Sequence, residues 1–335
     1  MVTKLIGRFL LWTFAVVVLA GAVSAAVVAY LLFGDRSLPK VETSVVIQPG
    51  ASAGDAAREL QAAGVINSEL GFRLLARAKH LETDVKAGEY RFAPHLSDAE
   101  ILERVTTGGA QVAVWVTIPE GFTAREVAAT LAEHNLGDEG SLLDYFLHTS
   151  LDLARGVRSV NLEGYLFPDT YLMPLETTPA ALARIMTDQF RNELPKDSEA
   201  RAKRLHLSIP QIVTLASLIE REAKADDERR LMAGVYYNRL AKKMPLEVDA
   251  TLEYTFAHHK DVITRADLTR DTPFNTYLHL GLPPTPIANP GRPSLLAAFD
   301  PQKSDYLFYV YKGKGHHAFA RTLEEHNANV ARYEK

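Results

Sequence analysis

No cysteine occurs in the 335 residues. That excludes disulfides, cysteine-ligated zinc and a thiol nucleophile, and it fits an oxidising compartment. Other signatures are missing too. There is no HExxH to hold zinc on a helix, no GxSxG elbow and no glycine-rich strand-to-helix loop for phosphate. The adjacent pairs His258–His259 and His316–His317 would point to opposite faces of a strand, and His326 stands apart, so no metal site is expected. Basic charge is also lacking: the net charge is −4, which argues against a nucleic-acid partner. Beyond residue 33 no segment is apolar enough to span a membrane.

Size and an apolar start are what remain. A chain of 335 residues, 47% hydrophobic, can build two domains around sizeable cores. Phe9 to Phe33 is apolar or small throughout, broken only by Thr13 and Ser24. As a helix it rises roughly 37 Å, enough for a ~30 Å hydrocarbon core. Lys4 and Arg8 precede it, and Asp35, Arg36 and Lys40 follow. The expectation is a cytoplasmic tail over 1–8, an uncleaved transmembrane anchor over 9–33, a linker over 34–44 and a body outside the cytoplasm. A cleaved signal peptide, with cleavage within Ala20–Ala29, is the rival.

An internal repeat follows. VVIQPGASAGDAARELQAAGVI (Val45–Ile66) aligns with WVTIPEGFTAREVAATLAEHNL (Trp115–Leu136). Ser52/Thr123, Asp55/Glu126 and Leu60/Leu131 coincide. Each copy predicts a strand, a Pro/Gly turn, a capped amphipathic helix, a second helix, an aromatic strand and a last helix. The aromatic strands are expected over Ala87–Pro94 and Glu163–Pro174. Their Tyr90, Phe92, Tyr165, Phe167 and Tyr171 read as core or as platforms for sugar rings.

The next stretch, Ser208–Tyr254, carries the chemistry. Ser208 reads as an N-cap and Pro210 as a first-turn proline. Ile212, Leu215, Ala216, Ile219 and Ala223 make one apolar face. Glu220 falls at its edge, half-desolvated, while Glu222 lies roughly 160° round the helix. Asp226 or Asp227 reads as the cap of a following helix, Glu228–Lys242. A proline-rich stretch, Asp271–Phe299, reads as a stiff wall suited to a hydroxyl-rich ligand, and Ser294 as the cap of a short helix in it. With metal, thiol and serine-elbow chemistry excluded, carboxylates remain: Glu220 first, with Glu222, Glu247 and Asp249 as second carboxylates.

ASLIEREA (Ala216–Ala223), VYYNRL (Val235–Leu240), VDATLEY (Val248–Tyr254), FNTYLHLGLPPTPIANPG (Phe274–Gly291), YLFYV (Tyr306–Val310) and HAFARTLEEHN (His317–Asn327) follow in order, preceded by TIPEG (Thr117–Gly121) and LEGYLFPDTY (Leu162–Tyr171). With these motifs the chain resembles the YceG-like family of endolytic murein transglycosylases over nearly its whole length. The resemblance implies an α+β protein anchored in the cell inner membrane, with its C-terminal part periplasmic. It would hold a LysM-like subdomain over 45–108 and a catalytic domain over 109–335, the latter comprising a second repeat unit, 114–192, and a catalytic core, 208–335. It implies cleavage of the β-1,4 bond between MurNAc and GlcNAc in nascent peptidoglycan, leaving 1,6-anhydro ends, near peptidoglycan synthases such as penicillin-binding proteins, without a cofactor. It makes Glu220 the acid/base, and gives Glu222, Asn238, Asp249, Thr251, Tyr254, Asn275, Tyr277, Asn289 and His317 binding roles. Thr285 stands where the family more often has glycine, Glu247 where it has Gln or Ser, and Ala320 where a polar residue is usual. A lysozyme-like hydrolase using Glu247 or Asp249 to activate water, and a non-catalytic wall-binding scaffold, are the alternatives.

Overall fold

The computed structural model describes residues 2–33, 38–154, 157–256, 260 and 263–333, and the side chains of all of these except 2–11, 28–29, 31–33, 154 and 157. The chain forms two compact units, Met1–Trp115 with Tyr171–Glu176, and Val116–Thr170 with Thr177–Lys335. The architecture is mixed α+β.

Helix α1 (Val2–Phe33) opens the chain. Its described side chains from Trp12 to Val27 are exposed. Among the described residues no helix is long and apolar enough to cross a membrane. The anchor expected over 9–33 falls partly on side chains outside the described set, as does the linker at 34–37.

The first repeat supplies β1 (Thr43–Ile47), α2 (Ala53–Ala62), α3 (Glu69–Ala78), β2 (Gly88–Phe92) and α4 (Asp98–Thr107). Capping boxes start α2 at Ser52/Asp55 and α4 at Ser97/Glu100. Each satisfies backbone donors that a helix start leaves bare. Ile47, Leu60, Phe72, Tyr90, Phe92 and Leu102 close a core with no measurable exposure, 0% each. Tyr90 and Phe92, two apart on one strand face, stack at 5.9 Å.

The second repeat runs β3 (Gln111–Thr117), α5 (Ala124–Glu133), α6 (Glu139–His148), a small hairpin β4 (Asp152–Ala154) and β5 (Val157–Arg158), then β6 (Thr170–Pro174) and α7 (Pro179–Glu193). Thr123 and Glu126 form its capping box. The main sheet is ordered β1-β2-β3-β6, with β2 antiparallel to β1 and β3. This order draws Gln111–Trp115 and Tyr171–Glu176 into the first unit, so the second begins at Val116. Tyr165, Phe167 and Tyr171 are buried as well. All five are core, and none is a sugar platform. The strand expected over 163–174 begins only at Thr170. Gly164, at φ +87°, turns the chain where a Cβ would strike Pro286.

The remaining elements of the second unit are α8 (Ser198–Arg204), α9 (Ile209–Glu222), α10 (Asp226–Ala241), α11 (Asp249–Glu253), α12 (Arg265–Leu268), α13 (Arg292–Phe299), β7 (Phe308–Gly313), β8 (His316–Ala320) and α14 (Leu323–Tyr333). Ser208 caps α9 through a capping box with Gln211, and Pro210 sits in its first turn. Every residue from Ile212 to Ile219 is buried, because α8, α10, α11 and α13 pack around the helix. Two expected caps fall elsewhere. Ala225, with no side-chain bond, precedes α10, and Asp226 instead accepts from Arg229 Nε at 2.9 Å. Ser294 lies inside α13, and its hydroxyl accepts from the Arg229 guanidinium.

Candidate active site

The last turn of α9 presents two carboxylates in different surroundings. The Glu220 side chain is 6% exposed. Its Oε1 pairs with Arg229 Nη1 at 3.2 Å, and its Oε2 accepts the Gly291 N–H at 2.9 Å. Burial opposes the Arg229 charge, but Glu220 and Asp226 outweigh it. A Cβ at Gly291 would meet the Glu120 side chain. The sequence pattern put Glu220 at the edge of an apolar face. The structure instead surrounds it with partners delivered by α10 and by the start of α13, which spacing along one helix cannot reveal.

Glu222 is half-buried. Burial pushes its pKa up to about 7, and the charge of nearby Asp249 adds to the effect, against the Tyr309 hydroxyl and the Ala250 N–H. Tyr309 Oη donates to Glu222 Oε2 at 3.1 Å and shares a 2.8 Å bond with Tyr236 Oη. Asp249 Oδ1 accepts from Tyr277 Oη at 2.7 Å. The structure thus gathers Glu222, Asp249 and Tyr277 from the expected set, and adds Tyr309 and Tyr236. A half-buried acid titrating near neutrality, beside a second carboxylate, is equipped for proton transfer.

The other expected binding residues are occupied by the fold. Asn238 Nδ2 donates to the carbonyls of Ser304 and Tyr306 at 2.8 and 2.9 Å. Thr251 is fully buried and donates to Val248 O at 2.7 Å. Asn275, also fully buried, donates to Leu268 O and Arg270 O and accepts from Tyr277 N. Asn289 Oδ1 accepts the Gly164 and Leu166 N–H groups at 2.9 Å each, while its Nδ2 donates to Phe122 O. Tyr254 Oη donates to Glu163 at 3.0 Å. His317, buried, bonds through its Nδ1 and its backbone N–H to Glu228 at 2.9–3.0 Å. Of these side chains, Tyr254 also lines a cavity. Glu247, considered as a second carboxylate, is taken by Arg239 at 2.8 Å. Thr285 is buried and needs no left-handed backbone, so the loss of glycine there costs no strain.

A cavity of about 490 Å³ lies nearby, lined by Glu163, Arg221, Ala250, Glu253 and Tyr254 among others, but by neither Glu220 nor Glu222. Its polar groups bind one another: Arg221 pairs with Glu253 at 3.0 Å, and Glu163 accepts from Ala124 N and Tyr254 Oη. Burial raises the Glu163 pKa to about 8. Among the described residues no group of three or more His, Asp or Glu is arranged to hold a metal. The His258–His259 pair lies outside the described residues.

The YceG-like family profile matches residues 45–332. The chain is 33% identical to a Bacillus subtilis (strain 168) protein named endolytic murein transglycosylase, over 90% of this chain and 89% of that one. It is 30% identical to the Streptococcus pneumoniae (serotype 2, strain D39) protein of the same name, over 88% of this chain. There it spans only 59% of the relative's length. A crystal structure of a YceG-like protein from Listeria monocytogenes superposes with a TM-score of 0.61 at 30% identity, covering 86% of this chain and 99% of that one. The chain belongs to the YceG-like family.

Proposed function

We propose that the protein is an endolytic peptidoglycan lytic transglycosylase, with Glu222 as its acid/base. The observation that carries the reading is the Glu222 carboxyl: half-buried, with a pKa near 7, beside Asp249 on the family's motif helix. Glu220, two residues earlier, has both oxygens committed and its side chain shut away, so it braces the helix end.

The chemistry follows. Protonated Glu222 gives its proton to the glycosidic oxygen as the bond to C1 of MurNAc breaks. The resulting carboxylate takes the proton of the C6 hydroxyl of the same sugar, whose oxygen bonds to C1. A 1,6-anhydro end forms and no water is consumed. Nucleophile and electrophile sit in one ring, which supplies much of the proximity advantage. Asp249 and Tyr277 flank the acid and would position sugar hydroxyls.

The finer reading is that 45–108 acts as a LysM-like subdomain ahead of a catalytic domain over 109–335. The apolar α1 is read as an inner-membrane anchor with its N-terminus cytoplasmic and the body periplasmic. Such a protein would act beside peptidoglycan synthases and end glycan-strand growth. The apolar run in Phe9–Phe33 and the short charged flanks support the anchor.

Mass analysis of purified glycan strands digested by the protein tests the activity. Anhydro-MurNAc ends are expected. Reducing ends alone would make the protein a hydrolase, and intact strands would leave a wall-binding scaffold.

A further inference from the structure

Tyr236 is fully buried, and its hydroxyl bonds Tyr309 Oη at 2.8 Å. Tyr309 in turn reaches Glu222 Oε2 at 3.1 Å. Each tyrosine carries one hydroxyl proton. If Glu222 donated to Tyr309 and Tyr309 to Tyr236, the Tyr236 proton would be left buried without an acceptor. In the opposite sense, Tyr236 donates to Tyr309 and Tyr309 donates to Glu222, and every proton is placed. The rings are clamped: Tyr309 packs edge-on against Tyr236 at 6.2 Å and against His317 at 5.6 Å. Glu228 holds that histidine in place.

We propose that Tyr236 and Tyr309 form a one-way hydroxyl chain that fixes Glu222 Oε2 as an acceptor and keeps the acid's proton on Oε1, making both tyrosines positioning residues for the reaction. This rests on the reading of Glu222 as the acid. The chain also serves the second half of the reaction, because the same donor stabilises the carboxylate formed once the proton has left.

The charged and titratable groups around Glu222 are Asp249 on α11, Arg221 on α9 itself, Tyr309 on β7, Tyr236 on α10 and Tyr277 in the loop before α13. Burial raises the pKa of both Tyr236 and Tyr309 well above the usual range, so both stay protonated where Glu222 titrates. The Tyr309 bond lowers the Glu222 pKa. Its removal therefore raises it, and activity persists to higher pH.

The test is the pH dependence of kcat on glycan strands for the full chain, its Glu222→Gln, Tyr309→Phe and Tyr236→Phe variants, with melting temperatures. Glu222→Gln is expected to be inactive. Tyr309→Phe is expected to move the alkaline limb up by about one pH unit and to lower kcat about tenfold, with KM within about twofold. Tyr236→Phe should move the limb the same way by about half as much. If Tyr309→Phe does not fold, fluorotyrosine at 309, a more acidic donor of similar size, should move the limb down. A fully active Glu222→Gln overturns the assignment of the acid itself. An inactive Glu222→Gln with unmoved limbs in the tyrosine variants overturns the chain alone.

Discussion

At the end of α9, Glu220 turns to Arg229 and the Gly291 N–H, whereas Glu222 turns to Tyr309 and Asp249. The two residues are separated by one arginine and about half a helical turn. One is held by a cation and a backbone donor. The other meets a second carboxylate and a hydroxyl, the combination that leaves a proton transferable near neutral pH. The lesson is that a carboxylate's role is set by what neighbouring elements bring to it, and sequence distance says little about that.

The largest effects should separate the pair. Glu222→Gln should cost about 10²–10⁴-fold in turnover while leaving the melting temperature close to that of the parent, since a neutral amide replaces a group already held neutral. Glu220→Gln should do the reverse. Removing one partner of an ion pair whose side chains are 6% and 9% exposed should lower stability by about 3–5 kcal/mol, read by thermal melting, with activity retained in the folded fraction. Gly291→Ala should cost less than Glu220→Gln, because the added carbon meets only the Glu120 side chain, which can move aside.

A pH titration sharpens the comparison further. Glu163 and Glu222 have folded-state pKa values of about 8 and 7, both raised chiefly by burial above the usual carboxylate range. A raised acid stabilises the fold fully below its unfolded pKa, and that contribution is lost as pH rises through the folded value. The melting temperature should therefore fall between about pH 5 and pH 8. Glu163→Gln should flatten the upper part of that fall, above the Glu222 value; an unchanged slope would show that Glu163 does not titrate there. The smallest effect is expected at the far end of α9, where Ser208→Ala should cost about 1 kcal/mol through loss of the cap and leave activity untouched.

Much of the scaffold was legible in the chain. Ser52, Thr123 and Ser208 each cap the helix their spacing predicts, because capping is local chemistry. The repeat was visible for the same reason. The sheet order was not, since β6 is separated from its neighbour β3 by α5, α6 and the β4–β5 hairpin. In the site, Asp249 was legible as a second carboxylate from its residue type, and Tyr277 entered through the family resemblance. Tyr236 and Tyr309 lay within recognised motifs but looked like ordinary aromatics, and only the fold brings their hydroxyls together. Asn238, Asn275 and Asn289 looked like ligand contacts because they are polar and sit in a loop or at a helix edge; each is spent on backbone groups that the turns leave bare.

The central claim is that Glu222, and not Glu220, moves the proton. The most direct measurement is the yield of anhydro-MurNAc ends from glycan strands incubated with the full chain, with Glu222→Gln and with Glu220→Gln, each corrected for its folded fraction. The account predicts no such ends from Glu222→Gln and a substantial yield from Glu220→Gln. Ends from Glu222→Gln at the parental rate, with none from a folded Glu220→Gln, would contradict it.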